Sequence, residues 1–412
     1  MKVSHKQLDN GVDSLVIALP DATSVTVQVL TRVGSRYENN NEHGVTHFLE
    51  HMCFKGTEHI SGKELVRRIE SLGAETNAFT GKEYTGYYIK GAHRHWKTFL
   101  KLVTDIYRYP AFPDKDIEIE KGVVQGEIDM YADNPMSVVG DVFTELIFQK
   151  DHQLGATILG THESVDAINR DLLISYHERF YTGANTVVMI SGKVDEEEVH
   201  QAISEAYELL PDGKRDVPSS AMFNDTQREI SLARPIDQSH VIVGFPGVAR
   251  DHRDRFALRI AMHILGGGMS SRLFQKVREE MGAGYYISAS AQSSTDYGVL
   301  AIRYGTKQER IIEVRNAIVA EIDRLQKDLT DTEVSDAHEA IMGMTDISLE
   351  TTDAWADWYG FQLILDNTYQ HLDAYEKQIR ATTREDIIRV INEYLVPEKM
   401  YSTVVGPEEI IF

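Results

Sequence analysis

Short runs of β-branched and aliphatic residues alternate along this chain with segments whose apolar positions recur every three to four residues. In the first half, period-two or continuous apolar character predicts strands over residues 15–19, 25–30, 85–89 and 187–190. Helical spacing runs through Leu65, Val66, Ile69 and Leu72, and again through Trp96, Phe99, Leu100, Val103 and Ile106. A third periodic stretch, Val165, Ile168, Leu172, Tyr176 and Phe180, reads as a single helix. Some strands follow one another directly, as antiparallel pairs do. The expected class is α+β, a mainly antiparallel β-sheet packed with α-helices.

Residues 211–220 (PDGKRDVPSS) interrupt this pattern with two prolines and a run of polar residues suited to an exposed connection. Beyond them the pattern restarts, with strands expected over 240–245 and 299–304. Helical segments follow near 256–265 and through Ile311, Ile312, Ile318, Val319, Ile322 and Leu325. The order after Leu72-Gly73-Ala74 resembles the order after Met281-Gly282-Ala283: strands, a helix, then a short acidic opening into another helix. Two homologous domains are therefore expected, residues 1–212 and 227–412, joined by a linker over 213–226.

Composition narrows the classes. The chain has 412 residues, 42% of them apolar, which excludes global disorder. A formal charge of −22 opposes binding to nucleic acid or anionic membranes and favours basic partners. One cysteine, Cys53, excludes an internal disulfide framework, and a small buried core residue is its expected role. Residues 1–7 lack the apolar stretch of a signal peptide, and no run approaches the ~18 apolar residues of a membrane span. A bacterial-type cytoplasmic protein is expected.

The candidate chemistry lies in His47-Phe48-Leu49-Glu50-His51. Residues i and i+4 of a helix share a face, so both imidazoles can reach one ion, with Glu50 beside it. Such an H-x-x-E-H order would arise by chance about 0.05 times in a chain of this composition. Catalytic zinc takes three protein ligands and leaves a position open, and a carboxylate that does not ligate can act as general base. For the third ligand, a helix expected over 116–130 offers Glu120 and Glu127, seven apart. Spacing alone does not choose between them.

These residues lie within stretches that resemble the pitrilysin/insulinase superfamily of zinc metallopeptidases, in the two-domain branch that includes mitochondrial processing peptidase and its bacterial relatives. The matching stretches are 44–57 (GVTHFLEHMCFKGT), 72–80 (LGAETNAFT), 120–128 (EKGVVQGEI), 154–161 (LGATILGT), and 271–274 (SRLF) through Gly284-Tyr285. The resemblance implies that His47, His51 and Glu127 hold Zn2+ and that Glu50 is the general base. It implies a place for Glu120 beside the ligands, orienting one of them. Asn77, Ala78 and Phe79 would lie on a strand that binds substrate by β-addition. Cys53 departs from the family pattern, where an apolar residue is usual.

In the second half, His263 has no histidine partner and is expected to be packed rather than metal-bound. Arg278 and Tyr285 match a family pair that contacts the substrate or its developing oxyanion. Relatives with four such domains close around peptides, so two copies of this chain are expected to form a homodimeric chamber for unfolded peptides, basic ones favoured. The alternative is a noncatalytic or partner-dependent subunit of a heteromeric processing-peptidase-like complex.

Overall fold

The computed structural model describes residues 1–149 and 152–410. Its first compact unit combines Met1–Asp129, Thr157–Ser219 and Ser348–Tyr369. The strands here are β1 (Lys2–Gln7), β2 (Asp13–Ala18), β3 (Ser24–Thr31), β4 (Glu75–Thr80), β5 (Thr85–Ala92) and β6 (Thr186–Gly192). They form one sheet in the order β1-β2-β6-β3-β5-β4. Every pair is antiparallel except β2 with β6.

The core on one face of this sheet takes residues from α1 (Val45–Met52), α2 (Gly62–Ser71), α3 (Trp96–Arg108) and α4 (Asp114–Ala132), with further helices α5 (Pro135–Phe148), α6 (His162–Ala167), α7 (Arg170–Phe180) and α8 (Glu196–Tyr207) following in the chain. Val25, Val27 and Ile89 from the strands, and Phe48, Phe99, Val103, Tyr176 and Ile203 from helices of this unit, share a core in which each is fully or nearly fully buried. Local chemistry sets the helix starts. Ser61 Oγ accepts from Glu64 N–H at 3.3 Å at the head of α2, and Asp114 and Asp116 place carboxylates in the first turn of α4.

The single helix expected through Val165 and Phe180 is two helices. Ile168 and Asn169 are extended, and Asn169 Oδ1 accepts from Leu172 N–H at 3.0 Å to start α7. An N-cap side chain competes with continuation of a helix, so periodicity ran across a true break.

The second unit combines Met130–Ala156, Ser220–Ile347 and Gln370–Phe412, as far as these residues are described. Its strands β7 (Glu229–Ala233), β8 (Ser239–Pro246), β9 (Gly284–Ser293), β10 (Gly298–Thr306) and β11 (Tyr401–Gly406) order as β7-β11-β8-β10-β9, with β7 and β11 parallel. This repeats the β2-β6-β3-β5-β4 order and pair directions of the first sheet, the signature of a duplicated α+β domain. The remaining helices are α9 (Arg255–Gly266), α10 (Ile311–Asp328), α11 (Asp331–Ser348), α12 (Thr352–Asp366), α13 (Leu372–Ala381) and α14 (Arg384–Tyr394).

The units cross the division at 213–226 drawn from the sequence. Helix α5, from the first half, buries Val138, Val139 and Phe143 against Ile242, Tyr401 and Val405 of the second sheet. Helix α12, from the second half, buries Tyr359 and Leu363 against Leu30, Val187 and Met189 of the first. Gly360 lets α12 approach closely, since an added Cβ would stand 2.5 Å from Met189 Sδ. Each sheet thus covers one face with a helix from the other half of the chain. Residues 211–228 carry no helix or strand.

Candidate metal centre and active site

Helix α1 begins at Gly44, whose φ of +83° suits glycine. An added Cβ there would stand 2.6 Å from the Leu159 carbonyl oxygen. Gly44 has no side chain to cap the helix, and Glu38 supplies the missing acceptors: its carboxylate takes the N–H groups of Gly44 and Thr46 at 2.9 Å each. Burial pushes the Glu38 carboxyl up to about 7, against the pull of those hydrogen bonds.

His47 and His51 project from one face of α1 with ring centres 4.6 Å apart. Glu127 of α4 places Oε2 at 3.6 Å from His47 Nε2 and 3.5 Å from His51 Nε2. The ligand atoms of these three side chains all lie within 4.8 Å of one another, the only such metal-capable group among the described residues. Zinc–ligand bonds of ~2.0–2.2 Å in a tetrahedron put neighbouring ligand atoms ~3.3–3.6 Å apart, the spacing of Glu127 from each histidine. Burial, then the neighbouring His51, lowers His47 to about 4, leaving a neutral imidazole ready to ligate.

His51 is oriented from its far side. Its Nδ1 lies 2.8 Å from Glu120 Oε1. Burial raises the Glu120 carboxyl, but hydrogen bonds from His51 and Lys55 overcome it and hold the group below its usual value. Glu120 is therefore an anion, His51 Nδ1–H is the donor, and Nε2 is left to face Glu127. Lys55 Nζ pairs with the other Glu120 oxygen. Burial would lower His51, yet the Glu120 hydrogen bond and the charges of Glu50, Glu120 and Glu127 raise it.

Glu50, on the same helix, accepts a hydrogen bond from Thr80 Oγ1. Burial raises its carboxyl, with Thr80 and His51 opposing, in the direction a general base requires. Thr80 ends β4, which pairs only with β5 and so leaves its outer edge unpaired within its sheet. Asn77 is exposed on this strand, with Ala78 and Phe79 half-buried. The Asn77 side chain turns back to accept from Ala78 N–H at 2.9 Å.

This arrangement accords with comparisons across known proteins. The Insulinase (Peptidase family M16) pattern matches residues 15–162, and that of the Peptidase M16 inactive domain matches residues 167–341. An uncharacterized zinc protease of Streptomyces coelicolor is 31% identical over 413 residues, spanning 98% of this chain and 90% of its own. The chain belongs to the M16 insulinase family. Another uncharacterized zinc protease, from Bacillus subtilis, is 31% identical over 379 residues, 92% of each chain. M16 membership is matched by the fold. A protease from Helicobacter pylori superposes with a TM-score of 0.91 at 22% identity, covering 98% of this chain and 99% of that one. The peptidase M16 inactive domain from Pseudomonas fluorescens gives the same score at 19% identity, covering 99% of both.

Arg278 and Tyr285 lie in the second unit. Arg278 stands exposed on a π-helical turn, Phe274–Glu280, with its guanidinium 5.0 Å from the Phe274 ring centre. Tyr285, near the start of β9, is 48% exposed rather than part of a core. Cys53 is fully buried and meets Tyr87 OH at 3.5 Å. Burial pushes its thiol up to about 12, which makes it inert. Three residues of the site went unassigned from sequence: Glu38, Lys55 and Thr80. Lys55 and Thr80 sit inside the family-like stretches, but their partners are distant along the chain. No helix among the described residues is long and apolar enough to cross a membrane.

Proposed function

We propose that this M16 protein is a zinc endopeptidase that hydrolyses unfolded peptides. The convergence of His47, His51 and Glu127, with Glu50 one residue from a ligand, carries the reading. Zinc held there would polarise the scissile carbonyl and make water a stronger nucleophile. Glu50 accepts the proton of the attacking water and returns it to the leaving amine. His51, locked by Glu120, keeps its ligating nitrogen aimed at the site.

The β4 edge would take the peptide as an added strand, through backbone hydrogen bonds that tolerate varied sequence. The carboxylates about the site and the charge of −22 favour basic peptides. Two copies of the chain would close around the substrate, Arg278 and Tyr285 serving the metal site of the partner copy. This last point rests on the family resemblance of those residues. Retention of both histidines, Glu50 and Glu127 favours an active subunit over a noncatalytic one.

The test is elemental analysis with peptide-library cleavage mapped by mass spectrometry, with and without chelator. One zinc per chain and internal cuts that chelator abolishes are expected. Zinc-free protein after zinc reconstitution, or cleavage indifferent to chelator, would overturn the reading.

A further inference from the structure

We propose that Thr80 is a positioning residue for the base, tying the Glu50 carboxylate to the strand edge on which the peptide would lie. The proposal rests on the reading of Glu50 as base. Thr80 Oγ1 donates to Glu50 Oε2, so one carboxylate oxygen is engaged and the other is left to take a proton.

Both ends of this hydrogen bond are held by one stretch of chain, residues 34–38. On the hairpin side, Ser35 N–H donates to the Gly81 carbonyl at 3.2 Å and Arg36 N–H to the Lys82 carbonyl at 2.9 Å. The Arg36 guanidinium, 2% exposed, pairs with Glu83 at 2.5 Å. Gly34 permits this approach, because an added Cβ would stand 2.3 Å from the Gly81 oxygen. On the helix side, Glu38 takes the amides of Gly44 and Thr46 and so fixes the start of α1. The loop after Thr80 is closed by Gly81 N–H to the Tyr84 carbonyl at 2.8 Å.

A glutamate side chain has three rotatable bonds and loses activity whenever its carboxylate swings from the reacting water. The Thr80 hydroxyl removes that freedom from the strand side. Because Thr80 belongs to β4, a peptide seated on that edge and the base that cuts it share one rigid support. Thr80 thereby acts on turnover rather than on affinity.

The experiment compares Thr80→Val, which keeps the shape and removes the hydroxyl, with Thr80→Ser, which restores it. Thr80→Val is expected to lose about 10- to 150-fold in kcat, the range for one hydrogen bond to a charged group. KM, zinc content and thermal midpoint should stay near wild type, and Thr80→Ser should recover most of the turnover. Thr80→Ala repeats the test if valine disturbs the hairpin. Wild-type kcat in Thr80→Val and Thr80→Ala overturns the proposal, as does a loss that Thr80→Ser fails to restore. Glu50→Gln, assayed alongside, separates the two readings. An active Glu50→Gln removes the base itself, whereas an inactive one beside a fully active Thr80→Val removes only the role of Thr80.

Discussion

His51 and Glu120 are joined at 2.8 Å through Nδ1 and Oε1, and this bond leaves the opposite ring nitrogen 3.5 Å from Glu127. The two glutamates of α4 thus flank one imidazole, Glu120 bonded at Nδ1 and Glu127 facing Nε2. Removing Glu120 should free the ring to rotate and to change tautomer. We expect Glu120→Ala to weaken zinc about 10- to 100-fold in a competitive chelator titration. Lys55→Met, which removes only the partner of Glu120, should cost less than Glu120→Ala. Wild-type zinc affinity in Glu120→Ala would contradict this arrangement.

The periodicity that places His47 and His51 on one face was legible in the pentapeptide, because an eight-residue helix obeys its own local geometry. The choice between Glu120 and Glu127 was not, since both lie on similar sides of α4 two turns apart. Family resemblance supplied it, and the structure sets the two carboxylates apart: Glu120 meets Nδ1 of His51, whereas Glu127 lies near Nε2 of both histidines. Thr80 and Glu38 escaped notice because their partners are chosen by packing across the chain. The same holds for α5 and α12, whose apolar stripes show that each needs a sheet without showing which. At Asn169 the failure was local, an N-cap lying inside an unbroken apolar period.

Glu38 gives a pH dependence of stability. Its folded value of about 7 lies above the ordinary carboxylate value of 4.5, so the folded state binds the proton more tightly than the unfolded chain. The stability it contributes is full below pH ~4.5 and is lost as pH rises through about 7. Relative to Glu38→Gln, which cannot titrate, wild type should lose on the order of 1–3 kcal/mol across that window. Denaturant unfolding of both proteins at several pH values measures the difference. A constant difference would show that Glu38 is not titrating there.

If two copies share substrate, inactive chains should complement. Glu50→Gln and Arg278→Ala subunits, each nearly inactive alone, would combine into a dimer with one complete site. Random 1:1 exchange makes half the dimers mixed, each with one of its two sites intact, so about a quarter of wild-type activity should return. Native mass spectrometry of tagged subunits verifies the exchange. Mixed dimers without any gain in activity would place Arg278 outside the partner's site.

The central claim is that three side chains hold zinc while Glu50 moves the proton. Glu50→Gln separates these roles, because the amide keeps the shape of the side chain and cannot accept a proton. The direct measurement is zinc content together with turnover of a quenched peptide by that variant. Full zinc occupancy with a ~10²–10⁴-fold loss of kcat is the predicted result. Zinc-loaded Glu50→Gln that cleaves at the wild-type rate would contradict it.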